Sequence, residues 1–153
     1  MMKTLKLISS LFLLFIFIGC SNDSDDGQPT VAVPAPTSDG FKYAENGSTT
    51  MISVSTPYAS NQYKSIFGVD NSNTIIEINL TSIAQGTYTI DNSTNFFSYL
   101  KPGSSGIWSG TTGTVTITSN ANNKLSGSFS MSAGSGINGV NTVNGTFTNI
   151  TIQ

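Results

Sequence analysis

Lys124-Leu125-Ser126-Gly127-Ser128-Phe129-Ser130-Met131-Ser132 decides the fold class, because its side chains separate by parity. Leu125, Gly127, Phe129 and Met131 fall on one side of an extended chain, and four serines fall on the other. Successive side chains in a strand point to opposite faces, so this pattern places one face on an apolar core and one in water. Gly127 on the inner row leaves room for a bulge or a large neighbour.

The pattern extends outward in both directions. Residues 113–119 carry Val115 and Ile117 inward and are joined to the first strand through Asn120-Ala121-Asn122-Asn123, a stretch suited to the left-handed turn of a hairpin. Val143, Gly145 and Phe147 repeat the inward row in a terminal strand, whereas Ile150 and Ile152 have the opposite parity. A bulge or a crossing to another sheet is therefore expected near Asn149. Residues 50–55, 63–69, 73–80, 87–91 and 95–101 read as further strands separated by Asn, Gly and Ser clusters, and no segment shows a capped helical stripe. Residues 39–153 are thus expected to form one all-β domain, a single antiparallel β-sandwich or flattened β-barrel.

Gly86-Thr87-Tyr88, Gly113-Thr114-Val115-Thr116-Ile117-Thr118, the 125–131 strand and Val143-Asn144-Gly145-Thr146-Phe147, taken in this order and spacing, resemble an uncharacterised domain found in small Bacteroidetes lipoproteins. That resemblance implies a fold and no activity, catalytic residue or cofactor.

The amino terminus reads as an address. Lys3 and Lys6 precede an apolar run over residues 7–18, too short for a spanning helix and suited to a cleaved signal peptide at residues 1–19. Phe17-Ile18-Gly19-Cys20 resembles the lipobox of bacterial lipoproteins, with Phe17 standing where leucine is usual. The resemblance implies cleavage between Gly19 and Cys20 and lipid attachment at Cys20. Ser21-Asn22-Asp23-Ser24-Asp25-Asp26 resembles an acidic export signal, which implies an outer-membrane lipoprotein displayed at the cell surface. Residues 20–38, with Pro29, Pro34 and Pro36, read as a disordered tether able to hold the domain up to ~55 Å from the membrane. Asp23, Asp25 and Asp26 imitate the start of a calcium loop, but Pro34 stands where the closing glutamate belongs, so no metal is expected.

Composition narrows the chemistry. Once Lys3 and Lys6 leave with the signal, Lys42, Lys64, Lys101 and Lys124 face eight acids, 4 minus 8 or −4, with no arginine. Such a chain lacks the basic surface that grips a phosphate backbone, so nucleic acid is not an expected partner. It contains no histidine and only one cysteine, which removes the usual general base and any intramolecular disulfide. Asp39, Glu45, Asp70, Glu77 and Asp91 could supply the carboxylate pair of a glycan-active enzyme, but Asp70 and Asp91 sit in Asp-Asn-Ser contexts that read as turns.

No catalytic residue and no cofactor is therefore assigned. The expected role is a non-enzymatic, membrane-anchored domain binding a glycan or an envelope protein. A carboxylate-based enzyme and a barrel-type carrier of a small lipophilic ligand are the alternatives. The ligand-contacting aromatics are sought among Tyr58, Tyr63, Phe96, Phe97, Tyr99 and Trp108, with Trp108, Tyr58 and Tyr63 foremost; Trp108 serves equally as a cap over the core.

Overall fold

The computed structural model of the chain describes residues 39–137 and 139–153, with the side chains of residues 134–137 outside that description. The signal peptide, Cys20 and the tether expected from the sequence lie outside the described residues. Eleven strands follow in order: β1 (Gly40–Glu45), β2 (Ile52–Val54), β3 (Tyr58–Ser60), β4 (Ser65–Val69), β5 (Ile75–Asn79) and β6 (Gly86–Ile90), then β7 (Phe96–Leu100), β8 (Trp108–Ser109), β9 (Thr112–Ala121), β10 (Lys124–Ile137) and β11 (Val140–Ile152). No helix occurs among the described residues.

Parity accounts for the longest pair. Leu125, Phe129 and Met131 of β10 and Val143 and Phe147 of β11 are all buried, while the serines between them are at least partly exposed. The register pairs Gly127 with Phe147 and Phe129 with Gly145. Each glycine thus gives up its side-chain space to the ring opposite. A Cβ on Gly127 would strike the Thr116 carbonyl oxygen and the Phe147 ring, and one on Gly145 would strike the Lys42 carbonyl oxygen and the Phe129 ring. The two reciprocal pairs pin the hairpin, because a one-residue slip would turn the apolar row outward and a two-residue slip would set Phe129 against Phe147.

β11 is where the sheet forks. Its residues 143–148 pair with β1 along one edge, and Thr151 and Ile152 pair with β3 along the same edge, further on. Between these partners lies Asn149, in the left-handed region at φ 52. The ladder with β10 slips there as well, since Leu125 faces Ile150 while Gly127 faces Phe147. One extra residue in β11 reverses the parity of everything that follows, which is why Ile150 and Ile152 point inward after Phe147 does.

The hydrogen-bonded path runs β6-β9-β10-β11-β3-β4-β5-β7-β8, with β1 on β11 and β2 on β1. Five strand steps separate β10 from β7 along this path, about 24 Å if the sheet were flat. Yet the rings of Phe129 and Phe97 lie 5.6 Å apart, so the sheet curls until its halves face each other. Phe41, Phe97, Phe129 and Trp108 fill the space between them in edge-to-face and tilted contacts. The expected sandwich or flattened barrel is thus a curled open sheet. The expectation of wholly antiparallel pairing needs correction, because β3 joins β11 in parallel. The bulge at Asn149 explains this: it carries the tail of β11 past the end of β1 and onto a strand that runs the same way.

Candidate functional site

The β3–β4 hairpin shows how alternation builds an outer face. Ala59 and Ile66 are paired across it and fully buried, so Tyr58, Ser60, Ser65 and Phe67 project to the other side of the sheet. Tyr58 faces Phe67 in register, and their rings lie 5.2 Å apart, tilted by 38°. The four-residue connection closes with Lys64 at φ 54, and its Nζ donates to Asn61 Oδ1 at 2.9 Å. The Tyr63 N–H donates to Ser60 Oγ at 3.3 Å, which holds the turn over the hairpin and leaves the Tyr63 side chain 71% exposed.

The chain's last residue completes the arrangement. Gln153 N donates to Ala59 O at 2.8 Å, and Asn61 N donates to Gln153 O at 3.2 Å. Tyr58, Ser60, Gln62, Tyr63, Ser65 and Gln153 line an open pocket of about 290 Å³. The side chains of its walls are two phenol rings, two hydroxyls and two amides, none of them charged. That volume is near the lower end of small-ligand sites.

The aromatics expected to contact a ligand therefore divide. Tyr58 and Tyr63 meet at this pocket. Trp108 lies elsewhere, 1% exposed, with Nε1 donating to Val140 O at 2.7 Å and its ring edge-on to Phe97 and Tyr99. It is a core residue, and no ring face is open to a ligand. Phe97 and Tyr99 are buried with it, whereas Phe96 is 42% exposed on the outer side of β7. Sequence reasoning missed Ser60, Gln62, Ser65 and Gln153. The Tyr-x-Ser and Ser-x-Phe alternation at residues 58–60 and 65–67 carried a signal for the serines, while the approach of Gln153 depends on the fork in β11 and has no local signature.

The carboxylates have other partners. Asp70 is buried: its Oδ1 accepts the Ser72 and Thr74 N–H groups, each at 2.8 Å, and its Oδ2 accepts the Tyr43 hydroxyl at 2.8 Å. Burial alone would raise its pKa, but the donors from Thr74, Tyr43 and Ser72 together outweigh burial and hold it below the usual carboxylate range. Tyr43 is pushed up to about 12, first by burial and then by the Asp70 carboxylate it faces. Tyr99 is also raised, by burial and by its hydrogen bond to Glu45, which in turn pairs with Lys101 at 3.0 Å. Asp91 accepts the N–H groups of Thr94, Ser93 and Asn95 and the Thr94 hydroxyl, which lowers its pKa. Asp39 accepts from Asn149, and Glu77 from Asn79. Asp70 and Asp91 thus close turns, as their Asp-Asn-Ser settings imply.

Among the described residues no group of three or more acids, cysteines or histidines converges as a metal site, and no helix is long and apolar enough to cross a membrane. In comparisons with known proteins, a family described as a domain of unknown function, DUF6252, matches residues 45–151. No curated protein and no solved structure matches the chain.

Proposed function

Because the chain belongs to the DUF6252 family, a domain of unknown function, we propose from the chemistry of its surface that it is a non-enzymatic, glycan-binding lipoprotein domain, held at the outer membrane through Cys20. The observation that carries the reading is the pocket beneath Tyr63, where aromatic faces alternate with uncharged hydrogen-bonding groups. A sugar ring presents the complementary pattern, with C–H faces that stack on phenol rings and hydroxyls that exchange hydrogen bonds with Ser and Gln. The pocket is framed by β3, β4 and the backbone-fixed end of β11, so binding requires little ordering of its walls.

An envelope protein is the second reading, and Tyr63 is the observation that favours it. An exposed tyrosine at a turn is a common anchor in protein interfaces as well. A lipophilic carrier has less support, since aromatic rings fill the space between the sheet halves. The carboxylate-enzyme reading is weaker for the same kind of reason: each acid among the described residues is engaged in a turn, a tyrosine contact or a local hydrogen bond.

The test uses the mature lipidated chain purified from membranes. It should be retained on a neutral glycan array, and Tyr63→Ala should abolish retention while leaving the melting temperature unchanged. Retention of an envelope protein with no glycan bound would replace the glycan reading with the protein one.

A further inference from the structure

Resting on the glycan reading of the pocket, we infer that the bound molecule is a chain of neutral sugars laid across four strands, with the Tyr58–Tyr63 pocket at one end and Phe96 at the other. The register places the residues. Ala59, Ile66, Ile78 and Phe97 are successive cross-strand partners on β3, β4, β5 and β7, and all four are fully buried. Their neighbours along each strand must therefore form rows on the opposite face.

One row is Ser60, Ser65, Asn79 and Phe96, and the other is Tyr58, Phe67, Glu77 and Ser98. Both begin at the pocket. Three strand spacings carry each row about 14 Å from β3 to β7, too far for one pyranose ring and suited to several joined end to end. The first row ends at a ring that is 42% exposed, although the next residue along, Phe97, is fully buried. Two aromatic patches thus bracket a partly exposed polar middle of Asn79, Glu77 and Ser98, with Ser65 buried beside the pocket.

Charge selects among oligosaccharides. Neither row contains a lysine, and Glu77 is their one carboxylate, accepting from Asn79 Nδ2 at 3.0 Å. Lys64, between the pocket residues Tyr63 and Ser65 in sequence, keeps its charge while donating to Asn61, and it belongs to neither row. A uronic-acid or sulfated chain would meet Glu77 with no opposite charge in the rows, whereas neutral hydroxyls can share hydrogen bonds with it.

The inference is tested by titrating the mature lipidated chain with neutral gluco-, manno-, galacto- and xylo-oligosaccharides, each as monosaccharide, trimer and hexamer, beside oligogalacturonate. Affinity should rise from monosaccharide to hexamer for the preferred sugar, and oligogalacturonate should bind more weakly than its neutral counterpart. Phe96→Ala should weaken the hexamer about tenfold while leaving the monosaccharide unchanged, and Tyr63→Ala should weaken both. If the monosaccharide binds as tightly as the hexamer and Phe96→Ala changes nothing, the extended site is wrong and the pocket reading survives. If only the anionic chain binds, the neutral-chain inference falls and glycan binding stands; if no sugar binds, both readings fall.

Discussion

Phe129 and Phe147 each occupy space left by a glycine on the opposite strand, and this exchange makes two small residues as structurally demanding as two large ones. Replacing either ring by alanine should cost ~3–5 kcal/mol, read from denaturant unfolding, because both are buried and their neighbours are held by the ladder. Gly145→Ala should also destabilise, by about 1–3 kcal/mol, since the added methyl meets the Phe129 ring and the Lys42 carbonyl oxygen. Tyr43 and Asp70 give the domain a titration at each end of the pH range. The raised Tyr43 contributes stability that is whole below the unfolded tyrosine pKa of about 10 and is lost as pH climbs through about 12. The depressed Asp70 contributes stability that is whole above about pH 3.9 and is lost as pH falls through its lower folded value. Tyr43→Phe should therefore cost about 1–3 kcal/mol at neutral pH. In chemical unfolding followed from pH 9 to 12, it should also flatten the alkaline loss without abolishing it, because Tyr99 is raised too.

At the scale of strands and turns, asparagine sets where the chain changes direction. Asn122 and Asn123 sit at φ 53 and 60 in the two-residue turn between β9 and β10, the left-handed pair that matches strand twist. Asn122→Gly should leave the melting temperature unchanged or slightly higher, whereas Asn122→Val should cost about 1–2 kcal/mol, because a branched Cβ resists that conformation. This turn, the β10 row and the bulge near Asn149 were legible from the sequence, because each depends on parity and turn chemistry within a few residues. β1, β3 and β8 were not. β3 and β8 are only three and two residues long, too short for alternation to register. β1 has a buried Ala44 beside buried Tyr43, which breaks the alternation where β1 pairs with β11 near its end. The site was half legible for the same reason. Tyr58, Tyr63 and the outward Phe96 follow from turns and alternation, whereas Trp108 lies in a glycine-flanked segment that reads as a loop or a short edge strand and is buried as part of β8.

At the scale of the whole molecule, the fold unit reaches back at least to Gly40, because β1 pairs with β11 along its full length and contributes Phe41, Tyr43 and Ala44 to the buried set. If residues 20–38 are a tether, a chain beginning at Asp39 should melt at the same temperature as one beginning at Ser21. A drop of several degrees would assign part of the 21–38 segment to the fold. If Cys20 is the anchor, Cys20→Ser should abolish metabolic fatty-acid labelling, and unchanged labelling would end the lipoprotein reading. The role proposed for the domain is glycan binding on the outer face of β3, β4, β5 and β7. The most direct test of that role is a backbone-amide NMR titration of the mature chain with the neutral oligosaccharide it retains best. Shifts should concentrate at residues 58–65 and Gln153 and extend through Asn79 to Phe96. A glycan whose shifts instead cluster on β9, β10 or their turn, with residues 58–65 unmoved, would contradict the account.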